Sequence, residues 1–201
     1  MRHAAYLAAL CVTILAAALC PGRACAEGKL DLGFEDVAPT KVPLQWRTDT
    51  SYPFDLVESV VKDFQYVRSG EASVKLVKKT DPQKPDARGH FYTNDDTPVQ
   101  KEGRYVFSLW TRGDGKIGAN AYAYGPVAGG AIGFKCSLYP QPMDKPTAAG
   151  DVTDKEWQQF RYEFDLSQSK EAISSVRLVI LATGTVYVDD AEWTQAAGGN
   201  P

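Results

Sequence analysis

Alternation with a period of two runs through almost the whole chain and limits what it can fold into more than any other feature. Phe160, Tyr162 and Phe164 alternate with Gln159, Arg161, Glu163 and Asp165. That is the pattern of a strand with one face in a core and the other outside it. Leu30, Leu32 and Phe34 repeat the pattern near the start, and Val74 and Leu76 follow the turn-like Ser69-Gly70. Tyr105, Phe107 and Leu109 alternate with Val106, Ser108 and Trp110, and Tyr122 and Tyr124 with Ala119, Ala121 and Ala123. Val176, Leu178 and Ile180 begin one late strand, and Val186 and Val188 lie in a last one. Helical spacing is scarce, with room for a turn or two between Ser167 and Ile173. The segments 80–86 and 140–150 are rich in proline, glycine and aspartate and read as loops. Many short strands between turns predict an all-β, two-sheet sandwich. Well-formed first and last strands add the expectation of a jelly roll with neighbouring termini.

The N-terminus has a different character. Met1-Arg2-His3 precedes an apolar run from Ala4 to Leu19, and Ala24-Cys25-Ala26 offers small residues before Glu27. This is the layout of a cleavable signal peptide over residues 1–26, too short in its apolar part for a membrane span. The expected product is secreted or periplasmic, without a membrane span after cleavage. It consists of one domain over 27–195 and a frayed tail over 196–201. Cys11, Cys20 and Cys25 leave with the signal, so Cys136 has no partner for an internal disulfide. The hydrophobic core alone must then hold the fold. Losing Arg2 and Arg23 leaves 20 basic and 25 acidic residues, a net charge of −5. Nothing in that balance supplies a basic footprint for a phosphate backbone, which argues against nucleic acid as a partner.

Five short motifs in order add a resemblance. They are Gly33-Phe34-Glu35, Ser69-Gly70-Glu71-Ala72-Ser73, Tyr105-Val106-Phe107-Ser108-Leu109-Trp110-Thr111-Arg112, Trp157-Gln158-Gln159-Phe160 and Val186-Tyr187-Val188-Asp189-Asp190. Together, over Leu30 to Trp193, they resemble the bacterial carbohydrate-binding modules of families four, nine and twenty-two, which are jelly rolls of the galactose-binding-like group. The glycine-rich stretch from Gly125 to Gly133 and the loop over 140–150 depart from that pattern. The resemblance implies neighbouring first and last strands that hold a structural calcium ion through Glu35 and Asp189, with carbonyls of the 69–73 turn as further oxygens. The alternative for both carboxylates is a solvated strand end.

The resemblance also implies a poly- or oligosaccharide ligand and no catalysis. Flat aromatic side chains cover the C–H faces of sugar rings while polar neighbours pair with hydroxyls. Three rows offer such groups: Trp110 and Arg112 beside Val106 and Ser108; Asn120, Tyr122 and Tyr124; and Arg88, His90 and Tyr92. Placed side by side on one sheet they would line a groove, with Trp110 as the leading anchor. Tyr122 and Tyr124 have an alternative place in the core. Trp46 and Tyr52 are candidates for its rim, whereas Trp157 and Trp193 read as core or sheet-packing residues. A rival reading is a structural or adhesive envelope domain that binds protein. Catalytic readings are weaker. His90 and Cys136 form the sole thiol–imidazole combination after cleavage, with no nucleophile signature around either. No zinc spacing appears. Glu163-Phe164-Asp165 resembles part of the carboxylate strand of some jelly-roll glycosidases but lacks a second acid partner.

Overall fold

The computed structural model describes residues 30–36, 42–84, 87–100, 102–141 and 150–196. The expected signal segment, the tail beyond Ala196 and most of the 140–150 loop lie outside the described residues. The strands in chain order are β1 (Leu30–Asp31), β2 (Trp46–Thr48), β3 (Leu56–Val61), β4 (Ala72–Lys78), β5 (Gly89–Thr93) and β6 (Thr97–Pro98). They continue with β7 (Arg104–Pro126), β8 (Ile132–Leu138), β9 (Gly150–Val152), β10 (Gln158–Asp165) and β11 (Ser175–Gln195). Every pairing between them is antiparallel. The turn or two of helix expected after Ser167 is a single 3₁₀ turn, Leu166–Gln168, capped by the Asp165 side chain.

Two elements differ from the sequence reading. The segments around Tyr105–Trp110 and Ala119–Tyr124 are one strand, β7, and those around Val176 and Val186 are likewise one strand, β11. These two long strands pair with each other from Ser175–Tyr124 to Gln195–Tyr105. Their outer neighbours change halfway along. The order β3-β4-β11-β7-β10 forms one half, using Gly184–Val188 of β11 and Arg104–Thr111 of β7. In the other half β2 pairs with β5, β5 with Val179–Ala182 of β11, and β8 with Ala121–Pro126 of β7. The sheet folds over at the midpoint, and the two halves face each other as a sandwich.

Glycine makes that corner. Gly184 and Gly115 are cross-strand partners, and Gly184 has φ of +76°. A Cβ on Gly115 would collide with the Thr183 carbonyl, and one on Gly184 with the Asp114 carbonyl. The backbones approach too closely there for any side chain.

Parity then sets the core. Odd residues of β7 point inward on both sides of the corner: Tyr105, Phe107 and Leu109, then Ile117, Ala119, Ala121 and Ala123. Even residues of β11 meet them, from Val176, Leu178 and Ile180 to Val186 and Val188. A β-bulge between Asp189 and Glu192, with Asp190 at φ of +45°, adds one residue. It shifts the inward positions to Ala191 and Trp193. Trp193 stacks on Tyr105 at 4.9 Å, in the packing role expected of it. Trp46, expected at a groove rim, is instead core, stacked 5.1 Å from Phe91.

Gly184→Ala should destabilise the fold by about 2 kcal/mol or more, since it combines a left-handed backbone with a backbone collision. Urea unfolding of the variant measures this, and an unchanged midpoint would show that the corner tolerates a side chain.

Candidate functional site

Because inward positions are odd on β7, its even positions face outward in both halves of the sandwich. Trp110 and Arg112 belong to the first half, and Asn120, Tyr122 and Tyr124 to the second. The single groove expected from the sequence is therefore two separate outer faces. The cause is the continuity of β7, which places the two rows end to end rather than side by side.

The face of the second half is the aromatic one. His90 and Tyr92 project from β5, Arg177 and Val179 from β11, and Tyr122 and Tyr124 from β7. Tyr122 lies at the centre. Its hydroxyl is 3.3 Å from Asp49 Oδ2, to which it donates, and 2.8 Å from His90 Nδ1. With its one proton given to Asp49, the hydroxyl accepts from Nδ1–H, so His90 Nε2 is a bare acceptor. Tyr52 stacks on the His90 ring at 4.3 Å, which keeps it in the rim position expected of it. Tyr92 meets Tyr122 edge-on at 5.9 Å, and Phe134 of β8 meets both Tyr122 and Tyr124 edge-on at 6.2 and 6.0 Å. Arg47 of β2 lies 4.6 Å over the Tyr92 ring, and Arg177 4.9 Å over Tyr124. Arg177 also pairs with Asp96 at 2.5 Å. Phe134 is 57% exposed, whereas Tyr92, Tyr122 and Tyr124 are half-buried. Neither Tyr122 nor Tyr124 fills the core.

Two expected members stand differently. Asn120 shares the row but is 4% exposed, and among the described residues no donor meets its Oδ1, so it is a floor group rather than a surface contact. Arg88 is half-buried at the start of β5, with its Nη1 lacking an acceptor among the described residues. Its charge reaches both His90 and the core residue Tyr162. Arg47, Asp49, Arg177 and Phe134 were missed by the sequence reading. Alternation of Ile132, Phe134 and Cys136 after the glycine-rich stretch was the available signal for β8.

On the opposite face, Trp110 is covered rather than open. The Arg68 guanidinium lies 3.8 Å over its ring while pairing with Asp190. Arg112 donates from Nη2 and Nε to the Asp154 carbonyl at 2.9 and 3.1 Å and from Nη1 to the Gln65 carbonyl at 2.9 Å. Trp110 and Arg112 thus hold loops against the sheet. Their ring face and donors are thereby used within the chain.

The carboxylates expected to hold calcium brace one turn from two sides. Asp189, 1% exposed, accepts from the amides of Arg68 at 2.7 Å, Ser69 at 3.2 Å and Asp190 at 2.7 Å. Glu35 accepts from the Glu71 amide at 2.9 Å. Burial raises the Asp189 carboxyl to a pKa of about 6 despite those three amides. No group of three or more metal-ligating His, Cys, Asp or Glu side chains occurs among the described residues.

Electrostatics of the aromatic face are tunable by pH. Burial, assisted by the Arg88 charge and opposed by Asp49, lowers His90 to a pKa of about 4, and burial with the nearby Asp49 raises the Tyr122 hydroxyl. His90 is neutral in the folded protein while an unfolded histidine titrates near 6.5. Its contribution to stability is therefore complete above pH ~6.5 and is lost as pH falls toward 4. Asp189, shifted upward, has the opposite sign between pH ~4 and ~6. The comparison of wild type with His90→Gln cancels that second group. Wild type should lose about 1–2 kcal/mol relative to the variant between pH 7 and 4.5, after allowance for partial exposure. Parallel urea-unfolding profiles for the two would show that His90 titrates normally.

No known family profile matches the chain, and no curated protein does. Solved structures do. The N-terminal CBM22 tandem of Xyn10C from Paenibacillus barcinonensis is 16% identical, with a TM-score of 0.49, over 86% of this chain and 46% of that one. An arabinose-bound GH51 α-L-arabinofuranosidase is 15% identical, with a TM-score of 0.55, over 87% of this chain and 27% of that one. A cyclase from Fischerella sp. TAU, in complex with 4-(1H-indol-3-yl)butan-2-one, is 11% identical, with a TM-score of 0.52, over 84% and 96%. The chain spans less than half the length of the first two. At these identities the shared property is the fold, a jelly-roll β-sandwich.

Proposed function

We propose that this is an exported, non-catalytic carbohydrate-binding domain that takes a poly- or oligosaccharide on the outer face centred on Tyr122. The observation that supports the reading is the clustering of Tyr52, Tyr92, Tyr122, Tyr124 and Phe134 with His90 on one sheet face. Rings seen at their faces and edges offer apolar area to sugar C–H groups, and the bare His90 Nε2 and the flanking guanidiniums offer hydroxyl partners. The two carboxylates of the face are engaged, Asp49 with Tyr122 and the Ser51 amide, Asp96 with Arg177. That favours binding over general acid–base chemistry, which needs a carboxyl group free to exchange a proton.

The two outer faces separate in a binding assay. In affinity electrophoresis against a panel of soluble polysaccharides, Tyr122→Ala should weaken binding about thirtyfold, roughly 2 kcal/mol for a central aromatic anchor. Phe134→Ala, at an exposed position that the fold does not need, should weaken it about tenfold. Trp110→Ala should stay within twofold of wild type. Loss with Trp110→Ala alone would move the site to the other face. Retention by none of the panel would favour the protein-binding reading.

We also propose that calcium joins Glu35 and Asp189 across the 68–71 turn. Asp189 is a desolvated anion without a cationic side chain on it, since the Arg68 guanidinium goes to Asp190, and this is the kind of carboxylate a divalent cation relieves. A bound ion would neutralise that charge and tie the last strand to the first. Calcium should then raise the melting temperature and chelator lower it, and Asp189→Asn should remove the response. A melting temperature indifferent to chelator in wild type would leave the turn held by amides alone.

A further inference from the structure

We propose that the saccharide bound at the Tyr122 face carries carboxylates, as uronic-acid units do, and that Arg47 receives them beside the charge of Arg88. The proposal rests on the sugar-binding reading and narrows its ligand class.

Arginine pairing across the molecule points to it. Arg68, Arg104, Arg112 and Arg177 each have a carboxylate partner, Asp190, Asp165, Asp154 and Asp96 respectively. Arg47, Arg88 and Arg161 have none among the described residues; Arg161 is exposed on β10 of the other half, whereas Arg47 on β2 and Arg88 just before β5 border the aromatic face. Arg47 is the cross-strand partner of Tyr92 and is exposed, its guanidinium held 4.6 Å over the tyrosine ring. Stacking fixes the plane of the fork and leaves its N–H edges open, and a planar carboxylate meets such a fork with two parallel hydrogen bonds. Arg88 contributes through its charge, which reaches His90 on this face, while its Nη1 is itself closed off from any ligand.

The surroundings do not cancel this charge. Asp96 is neutralised by Arg177, and among the described residues Arg47 and Arg88 stand against Asp49, so the face has a local positive excess. The whole chain has a formal net charge of −3, and −5 once the expected signal peptide is removed. A polyanion is thus repelled by the molecule at large and attracted at this face, which makes its recognition local rather than diffuse.

Binding of the purified exported protein to polygalacturonate, and to the same polymer with its carboxyl groups reduced to hydroxyls, tests the idea. Wild type should bind the uronate polymer at least tenfold more tightly than its reduced form, and the preference should shrink as salt rises from 50 to 500 mM. Arg47→Ala should abolish the preference by weakening binding to the uronate polymer far more than binding to its reduced form, and Arg47→Lys should restore it in part. Because Arg47 is exposed, the variant is expected to fold, and its thermal melting confirms that. Equal, Tyr122-dependent binding to both polymers would overturn the carboxylate proposal while leaving sugar binding intact. Binding to neither would overturn both. Equal binding to dextran sulfate would also overturn it, by showing unspecific attraction to polyanions.

Discussion

Everything in this fold depends on the hydrogen-bonded ladder between β7 and β11 passing unbroken around a corner. Two strands that long cannot stay flat and also enclose a core, because a half-apolar sheet must bury one face against something. Here it is buried against its own continuation. The corner needs backbone closer to backbone than any Cβ permits, and the facing pair Gly115 and Gly184 supplies it. Once the ladder turns without breaking, parity is conserved through the bend. The same alternation then decides what is core and what is outside in both halves.

Conserved parity also explains why the outside has two unlike faces. On one, cations are used to fasten loops: Arg68 over Trp110, Arg112 on Asp154 and Gln65, with Tyr66 stacked on Tyr187 at 4.0 Å. On the other, rings meet edge-on around a hydroxyl, an imidazole and a carboxylate, with two guanidiniums left over. The first face spends its cations on its own loops, with Arg161 of β10 the exception. The second retains donors, acceptors and apolar area that nothing among the described residues uses.

Much of this was legible in the sequence, and the illegible part has a physical reason. The inward set Tyr105, Phe107, Leu109, Phe164, Val176, Leu178 and Ile180 follows from alternation alone. The rows of His90 with Tyr92 and of Tyr122 with Tyr124 were recognisable as outward rows, and they do share a face. Hidden from view was that Arg112-Gly113-Asp114-Gly115, which has the composition of a turn, is strand, because only its cross-strand partner reveals the bend. That one ambiguity placed Trp110 beside Tyr122. Phe134 and Arg47 escaped because their strands are short or border glycine-rich chain. The bulge at Asp190 was missed too: its one trace is the phase slip from Val186 and Val188 to Ala191 and Trp193, and no glycine marks the positive φ.

The uninterrupted ladder has a consequence for how the chain acquires and loses structure. Its two strands are separated in sequence by the segment that contains β8, β9 and β10, so their pairing is long-range and high in contact order. Both halves of the sandwich are built on the same central pair, β7 and β11. Local opening of one half must therefore strip partners from the other, and the domain behaves as a single cooperative unit rather than two foldons. Amide exchange in the strand centres beneath both faces would then proceed through global unfolding, with one common free energy.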